Sequence, residues 1–276
     1  MSSTEWIRTN KSRPCPICNK NDWCEISADR VTVYCMRVPS EHPSKSPQGG
    51  WFHRIGEPVV YQPVKKTKMV TDFTTETQNY IDNLSSYETP SRLLGVSVRS
   101  LERLQLGHNG RGYTFPMRDG RENIIGIRVR GKKGKWSVPG SRNGLFWPDK
   151  VYSGSDWPLI ICEGPSDTAA LLDLEFDAIG RPSCLGGNEH VMEFLRGKRR
   201  DIVIMSDNDQ PKHRPDGSVW FPGQEGATKL AHLIKPLVRS VKVCHPPGHK
   251  DIREWKIAGA TKPVVIAIIR NARYVA

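Results

Sequence analysis

LIICEGPSD at 159–167 and DIVIMSDND at 201–209 are the stretches on which the reading of this chain turns. Each opens with an unbroken apolar run rich in Ile and Val and closes on acidic residues. A short apolar run without alternation is what a strand buried on both faces requires. The surrounding sequence repeats strand and helix. A helix is expected over 166–174, a short strand at FDAIG (176–180) and a helix over 190–196. After the DIVIMSD strand (201–207) come a helix over 224–238, the strand SVKVCHP (240–246) and a helix over 251–258. This alternation predicts a parallel sheet covered by helices. In such sheets ligands bind outside the carboxyl ends of the strands, and Glu163, Asp207 and Asp251 fall at or just past those ends.

Five carboxylates are thereby expected at one sheet edge: Glu163, Asp167, Asp207, Asp209 and Asp251. Such groups repel one another unless cations lie between them, and hard divalent ions with oxygen ligands, Mg²⁺ or Mn²⁺, suit them. Ions held this way act on phosphate substrates. A strand ending in Glu-Gly, or an Asp-x-Asp that caps a helix, is commonplace alone; the placement on successive strand ends is the informative feature.

Upstream, 75–106 holds two expected helices, over 76–84 and 97–105, the second capped by Ser97. YTFPM (113–117), IIGIRVR (124–130) and KWSV (135–138) read as antiparallel strands separated by turn signals at Asp119-Gly120 and at 131–134. Between 110 and 142 there are nine cations, opposed only by Asp119 and Glu122. Arg118, Arg128, Arg130, Lys135 and Arg142 are the candidates for holding nucleic-acid backbone or nucleotide phosphates. A solvated basic face is the plainer account of such a run, but aromatic residues interleave here at Tyr113 and Trp136.

Four of the seven cysteines lie in the first 35 residues. Cys15-Pro16-Ile17-Cys18 is a C-x-x-C knuckle followed by Cys24, Cys35, His42 and His53, with strand-like runs at 23–27, 31–35 and 51–55. A segment this short cannot bury enough surface easily, and a structural Zn²⁺ supplies the missing stability. Cys15, Cys18 and Cys35 are the firm ligands; the fourth is Cys24 or His53. No β-α-β pattern surrounds the knuckle to make it a redox pair. Cys162, Cys184 and Cys244 read as core thiols. The Pro- and Lys-rich stretch GEPVVYQPVKKTKMVT (56–71) lacks a helical period and reads as a tether.

The 276 residues carry 41 Lys and Arg against 29 Asp and Glu, a net charge of +12, which favours a polyanionic partner. The first sixteen residues hold no apolar stretch of an export signal. The longest apolar run, 264–269, is too short to span a bilayer. The clustered cysteines suit a reducing compartment. The expected location is the cytoplasm, the host's if the source is viral, with no membrane partner.

Taken together these residues resemble the zinc-ribbon primases of bacteria and phages, whose catalytic core is a TOPRIM domain. Tyr113-Thr114-Phe115-Pro116-Met117-Arg118-Asp119 and Gly126-Ile127-Arg128 are similar to the basic RNA-polymerase subdomain of that family. Glu163-Gly164 with Asp167 is similar to its first TOPRIM motif, Asp207-Asn208-Asp209 to its metal-binding Asp-x-Asp, and 246–251 (PPGHKD) to its last acidic motif. Gly226-Ala227 fits the helix start that follows the Asp-x-Asp. The resemblance implies an α/β chain in four parts: a small β zinc ribbon (1–56), a flexible linker (57–74), an α+β basic subdomain (75–152) and a Rossmann-like TOPRIM domain with a parallel sheet (153–276).

It also implies template-directed primer synthesis from NTPs on single-stranded DNA, with a separate replicative helicase as partner. Glu163, Asp207 and Asp209 are then catalytic, and Asp167 and Asp251 join them in holding Mg²⁺ or Mn²⁺. The sequence departs from the family at Val38, where a ribbon cysteine is usual, at Arg253, where a second Asp is usual, and in an apparent insertion over 210–224. The rival readings are a TOPRIM nuclease, a topoisomerase using Tyr152 or Tyr274, and a non-catalytic zinc-ribbon DNA-binding or recombination protein.

Overall fold

The computed structural model describes residues 5–46, 49–56, 72–149, 157–214 and 216–275. Contacts divide the chain into two compact units, Met1–Thr67 and Lys68–Ala276. Residues 57–71 of the expected linker and Tyr152 lie outside the described residues; 73–74 already belong to a helix.

The first unit is a four-stranded antiparallel sheet in sequential order: β1 (Trp6–Arg8), β2 (Glu25–Ser27), β3 (Thr32–Cys35) and β4 (Trp51–Arg54). Its core is small, Cys15, Cys24, Ile26, Val33 and Cys35, so three of five buried side chains are thiols. Strand β1 was not expected from the sequence, being only three residues long.

The second unit begins with α1 (Phe73–Asp82), capped by Asp72, whose carboxylate accepts from the backbone N–H groups of Thr74 and Thr75. Helices α2 (Glu88–Leu94) and α3 (Val98–Arg103) follow; the Ser97 hydroxyl caps α3 as expected. Strands β5 (Gly107–His108), β6 (Gly112–Arg118), β7 (Ile124–Gly131) and β8 (Gly134–Ser137) form an antiparallel sheet in that order. On one face Ile127, Val129 and Val138 pack against Phe73 of α1. On the other, Phe115 and Met117 pack against Leu94, Val96 and Leu101 around α2 and α3, and against Ala169, Ala170 and Leu172.

Those last three residues lie on α4 (Gly164–Asp173) of the parallel sheet, which is ordered β10 (Ala178–Arg181), β9 (Leu159–Glu163), β11 (Asp201–Met205), β14 (Ser240–Cys244). The alternation buried in the apolar runs is explicit. Leu159, Ile161, Ile202 and Ile204 face α5 (Asn188–Leu195) and α6 (Pro222–Ile234). Ile160, Cys162, Val203 and Met205 face α7 (Ile252–Ile257) and α8 (Lys262–Asn271). A two-residue hairpin, β12 (Lys212–His213) with β13 (Val219–Trp220), occupies the expected insertion.

The basic subdomain and the parallel-sheet domain share one core through α4, and Leu145 and Trp147 of the connecting segment are buried among the sheet's own residues. They form a single compact unit. No helix among the described residues is long and apolar enough to cross a membrane.

Candidate functional site

The parallel strands run β9 to β10 in one direction and then β11 to β14 in the other, so the order reverses between β9 and β11. That is where a crevice opens at the carboxyl ends of the strands. Glu163 ends β9, and Asp207 and Asp209 follow the end of β11. Asp251 follows β14 and caps α7, its Oδ1 accepting from the Glu254 N–H at 2.7 Å. Asp167 lies in the first turn of α4, nearly buried, its Oδ1 accepting from the Arg253 N–H at 3.2 Å. All five acidic residues expected at one edge are therefore brought to it.

Glycines make the close approaches possible. Gly164 has φ +74°, the left-handed turn that takes the chain from strand to helix directly after Glu163. A Cβ at Gly180 would lie 2.3 Å from Thr168 Oγ1 and 2.6 Å from the Gly164 carbonyl oxygen. A Cβ at Gly223 would lie 2.5 Å from the Asp207 carbonyl oxygen, and its N–H donates to Asp209 Oδ2 at 3.1 Å. The N-terminus of α6 is thus pressed onto the Asp-x-Asp loop.

Burial first, then the nearby Glu163 charge, raises Asp207 to about 7, against the pull of Lys250, whose Nζ is 4.0 Å from Asp207 Oδ2. Burial also raises Asp167 far above the carboxylate range, with Asp251 and Asp207 adding to it. Glu163 is raised by burial and drawn back by Arg181. The sequence reading missed Arg181. It ends β10 directly beside Glu163 in register, is almost wholly buried, and donates to the Cys184 carbonyl and to Asn188. The signal was present: β10 ends in a charge just as β9 does.

Could the carboxylates hold a divalent ion? Among the described residues only the four cysteines place three or more candidate ligand atoms within 4.8 Å of one another. The acidic side chains are therefore spread along a shelf rather than gathered into one ligand cluster. That arrangement fits Mg²⁺, which is held by one or two carboxylates and completes its shell with water and substrate phosphates. Glu163 Oε1 is buried and accepts no hydrogen bond, an orphan such an ion would satisfy.

The cations divide by face. Burial holds Arg130 below the usual guanidinium value, with Arg253 adding to it and Asp167 and Asp251 opposing, so Arg130 lies on the acidic side. Arg128 donates to Asn143 at 2.9 Å, while Lys135 and Arg142 are exposed. Arg118 donates to the Glu122 carbonyl and to Gln105 and lines a separate cavity of about 580 Å³ with α1 residues; the structure does not bring it to the acidic row. A further cleft, of about 1020 Å³, mixes Arg130 and Lys133 with Tyr113 and Trp136.

In the first unit Cys15, Cys18, Cys24 and Cys35 form one cluster. Cys18 and Cys24 sulfurs are 3.7 Å apart, and Cys24 and Cys35 4.0 Å. A tetrahedral tetrathiolate zinc with Zn–S near 2.3 Å needs sulfurs about 3.8 Å apart. The Met36 and Val38 N–H groups donate to Cys24 and Cys35, and Arg37 reaches Cys18 and Cys24. Burial opposes it, yet the Lys20 N–H and the neighbouring thiols bring Cys18 down to about 7. His53, the alternative ligand, turns away to the Val38 carbonyl at 3.0 Å.

No family model matches the chain, and no curated protein matches it. Solved structures do. The zinc-binding and RNA polymerase domains of Aquifex aeolicus primase align over 100% of this chain and 81% of that one, with TM-score 0.59 and 14% identity. A DnaG primase catalytic domain bound to single-stranded DNA aligns over 73% and 80%, with TM-score 0.56 and 14% identity. A DNA primase domain from Pseudomonas aeruginosa aligns over 73% and 78%, with TM-score 0.55 and 16% identity. The chain has the fold shared by primase zinc-binding and RNA polymerase domains.

Proposed function

We propose that this chain is a DNA primase, a nucleotidyltransferase that makes short oligonucleotides on a single-stranded DNA template. One observation carries the reading: the acidic shelf at the switch point between β9 and β11 is built on the same core as a cationic sheet, whose Arg130 lies close enough to feel the charges of Asp167 and Asp251. A hydrolytic site needs the shelf alone; a polymerising one also needs a wall for template and nucleotide.

In this reading Glu163 accepts the proton of the attacking hydroxyl, and burial keeps its basicity high for that task. Asp207 and Asp209 hold Mg²⁺ or Mn²⁺, with Asp167 and Asp251 behind them. A divalent ion there supplies neutralisation of phosphate charge. Arg128, Arg130, Lys135 and Arg142 take backbone or triphosphate, and Tyr113 and Trp136 offer faces for unstacked bases. The DnaG domain of similar fold was solved with single-stranded DNA, which supports that partner here. The cysteine cluster holds Zn²⁺ and the ribbon reads template. NTPs are the substrates, a separate helicase brings the chain to the fork, and the setting is the cytoplasm.

The test is synthesis on mixed-sequence single-stranded DNA with labelled NTPs and Mg²⁺ or Mn²⁺, beside Glu163→Gln. Short labelled products that vanish in the variant support the proposal. Shortened DNA without NTPs would instead identify a nuclease.

A further inference from the structure

In the first unit the loop between Cys18 and Cys24 carries Trp23, which is 76% exposed. Its backbone is left-handed, with φ +65°. That conformation is easy for glycine and costly for a bulky side chain. Glycine at this position would serve the turn with less strain, and a ring so open to water gains little from burial. The indole therefore does little for the ribbon's own stability, and its use lies outside the fold. Strained backbone of this kind gathers where proteins hold ligands.

The loop is firmly held. Cys24, the next residue, is fully buried in the thiol cluster. On the other side of the ring, Arg37 donates to the Asp22 carbonyl at 2.9 Å and to Asp22 Oδ1 at 2.7 Å, which fixes that residue and occupies its charge. The Thr9 N–H donates to the Cys24 carbonyl at 2.9 Å, and the Cys15 N–H to the Lys20 carbonyl at 2.7 Å, so residues 9–15 run beside residues 20–24. The first of these segments turns at Asn10–Arg13, closed by backbone bonds of 2.9 and 3.0 Å. Lys11 and Arg13 on that turn are exposed, as is Lys20 on the loop. They stand outside the ion pairs of the described ribbon, Arg8 with Glu25 and Arg37 with Asp22. A rigidly mounted, solvent-facing indole thus lies near cations that are open to phosphate. Duplex DNA stacks its bases away from such a ring, whereas a single strand has a π-face to offer at each base.

We propose that Trp23 is a stacking platform for one unpaired base of single-stranded DNA, with Lys11, Arg13 and Lys20 drawing in the phosphates beside it. The inference rests on the proposed reading of the ribbon as the template-binding unit and adds the means of the grip. A sheet whose core is five small side chains has no depth for a base pocket, and one strained ring supplies the hold instead. Because every base presents a face, Trp23 contributes affinity without choosing among bases.

Fluorescence anisotropy of a labelled single strand, titrated with the zinc-loaded full chain across a salt series, tests this without requiring synthesis. Trp23→Ala is expected to weaken binding about tenfold. Its salt slope and zinc content stay unchanged, since no phosphate contact and no thiol is lost. Trp23→Phe is expected to restore most of the affinity. On duplex DNA of the same sequence, Trp23→Ala and wild type are expected to bind alike. Lys11→Ala combined with Arg13→Ala should lower the salt slope by about two. Equal single-strand affinity in wild type and Trp23→Ala, a Trp23→Phe variant as weak as Trp23→Ala, the same loss on duplex, a loss accompanied by loss of zinc, or an unchanged slope in the double variant would overturn the inference. A single-strand-specific loss in Trp23→Ala, in a chain that makes no primers, would keep the stacking site and refute the primase reading. Primer synthesis with a template affinity that Trp23→Ala leaves unchanged would do the reverse.

Discussion

Arg181 and Glu163 are register partners at the carboxyl ends of two adjacent parallel strands, and Arg181 Nη2 lies 3.9 Å from Glu163 Oε1. The guanidinium is almost wholly buried and faces a largely buried carboxylate at ion-pair distance. Removing one member of a buried pair leaves the other uncompensated. Arg181→Met is expected to cost about 3–5 kcal/mol, with the Cys184 carbonyl and Asn188 also losing their donor. For a unit of this size that is a fall of about 10 °C in melting temperature. Thermal unfolding followed by circular dichroism checks it, and an unchanged melting point would show that the pair contributes nothing.

Asp207 gives a pH signature. Its folded value of about 7 lies above its unfolded value, so the folded chain binds more protons between about pH 4 and 7. The sign is therefore a loss of stability as pH rises through that window, up to about 4 kcal/mol before solvent screening at this partly open site. In buffer free of divalent ions the chain should resist urea better at pH 5 than at pH 7.5. Asp207→Asn should flatten that difference and reduce nucleotidyl transfer at least a hundredfold. Wild-type rates in this variant would remove Asp207 from the chemistry.

Metal content separates the four thiols from His53. Purified protein is expected to carry about one zinc per chain. Cys24→Ser should lose it, because Cys24 lies between Cys18 and Cys35 in the cluster. His53→Ala should keep it, losing only a bond to the Val38 carbonyl. Elemental analysis of both variants decides the point; zinc retained in Cys24→Ser and lost in His53→Ala would reverse the ligand set.

The two faces of the basic sheet make a pair of opposite expectations. Arg130→Ala should weaken single-stranded DNA binding and lower the salt slope by about one counterion. Arg118→Ala should leave the slope unchanged, since that side chain is spent on Gln105 and Glu122 away from the acidic row. Fluorescence anisotropy across a salt series reads both. Equal slopes for the two variants would mean that DNA does not distinguish the faces.

The parallel sheet was legible because burial on both faces leaves unbroken runs such as LIICE, and acidic residues at their ends mark the crevice. Ser97 announced its helix through its side chain. What stayed hidden has physical causes. Helix α2 is seven residues and has no side-chain cap. Helix α8 buries Val265 and Ile269 inside a run so apolar that it shows no period. Arg181 was missed because the strand was closed at Gly180. Arg118 alternates with Met117 along β6 and so falls on the α1 face, a division that a count of cations along the stretch does not make. Cys24 near the knuckle and His53 on the third expected strand could each have closed the site; the folded cluster takes Cys24, and His53 turns toward Val38.

Helix α4 presents Asp167 to the shelf, and two residues later Ala169 and Ala170, both fully buried, meet the wall built on Phe115 and Met117. The distance between carboxylates and cations is thereby gauged by two methyl groups. A single added methylene at either alanine would widen the gap between them, the gap in which the proposed reaction would hold strand and nucleotide. In laboratory evolution of this scaffold, 169 and 170 are the sites where small changes in side-chain volume should reset the spacing between the acidic shelf and the cationic sheet.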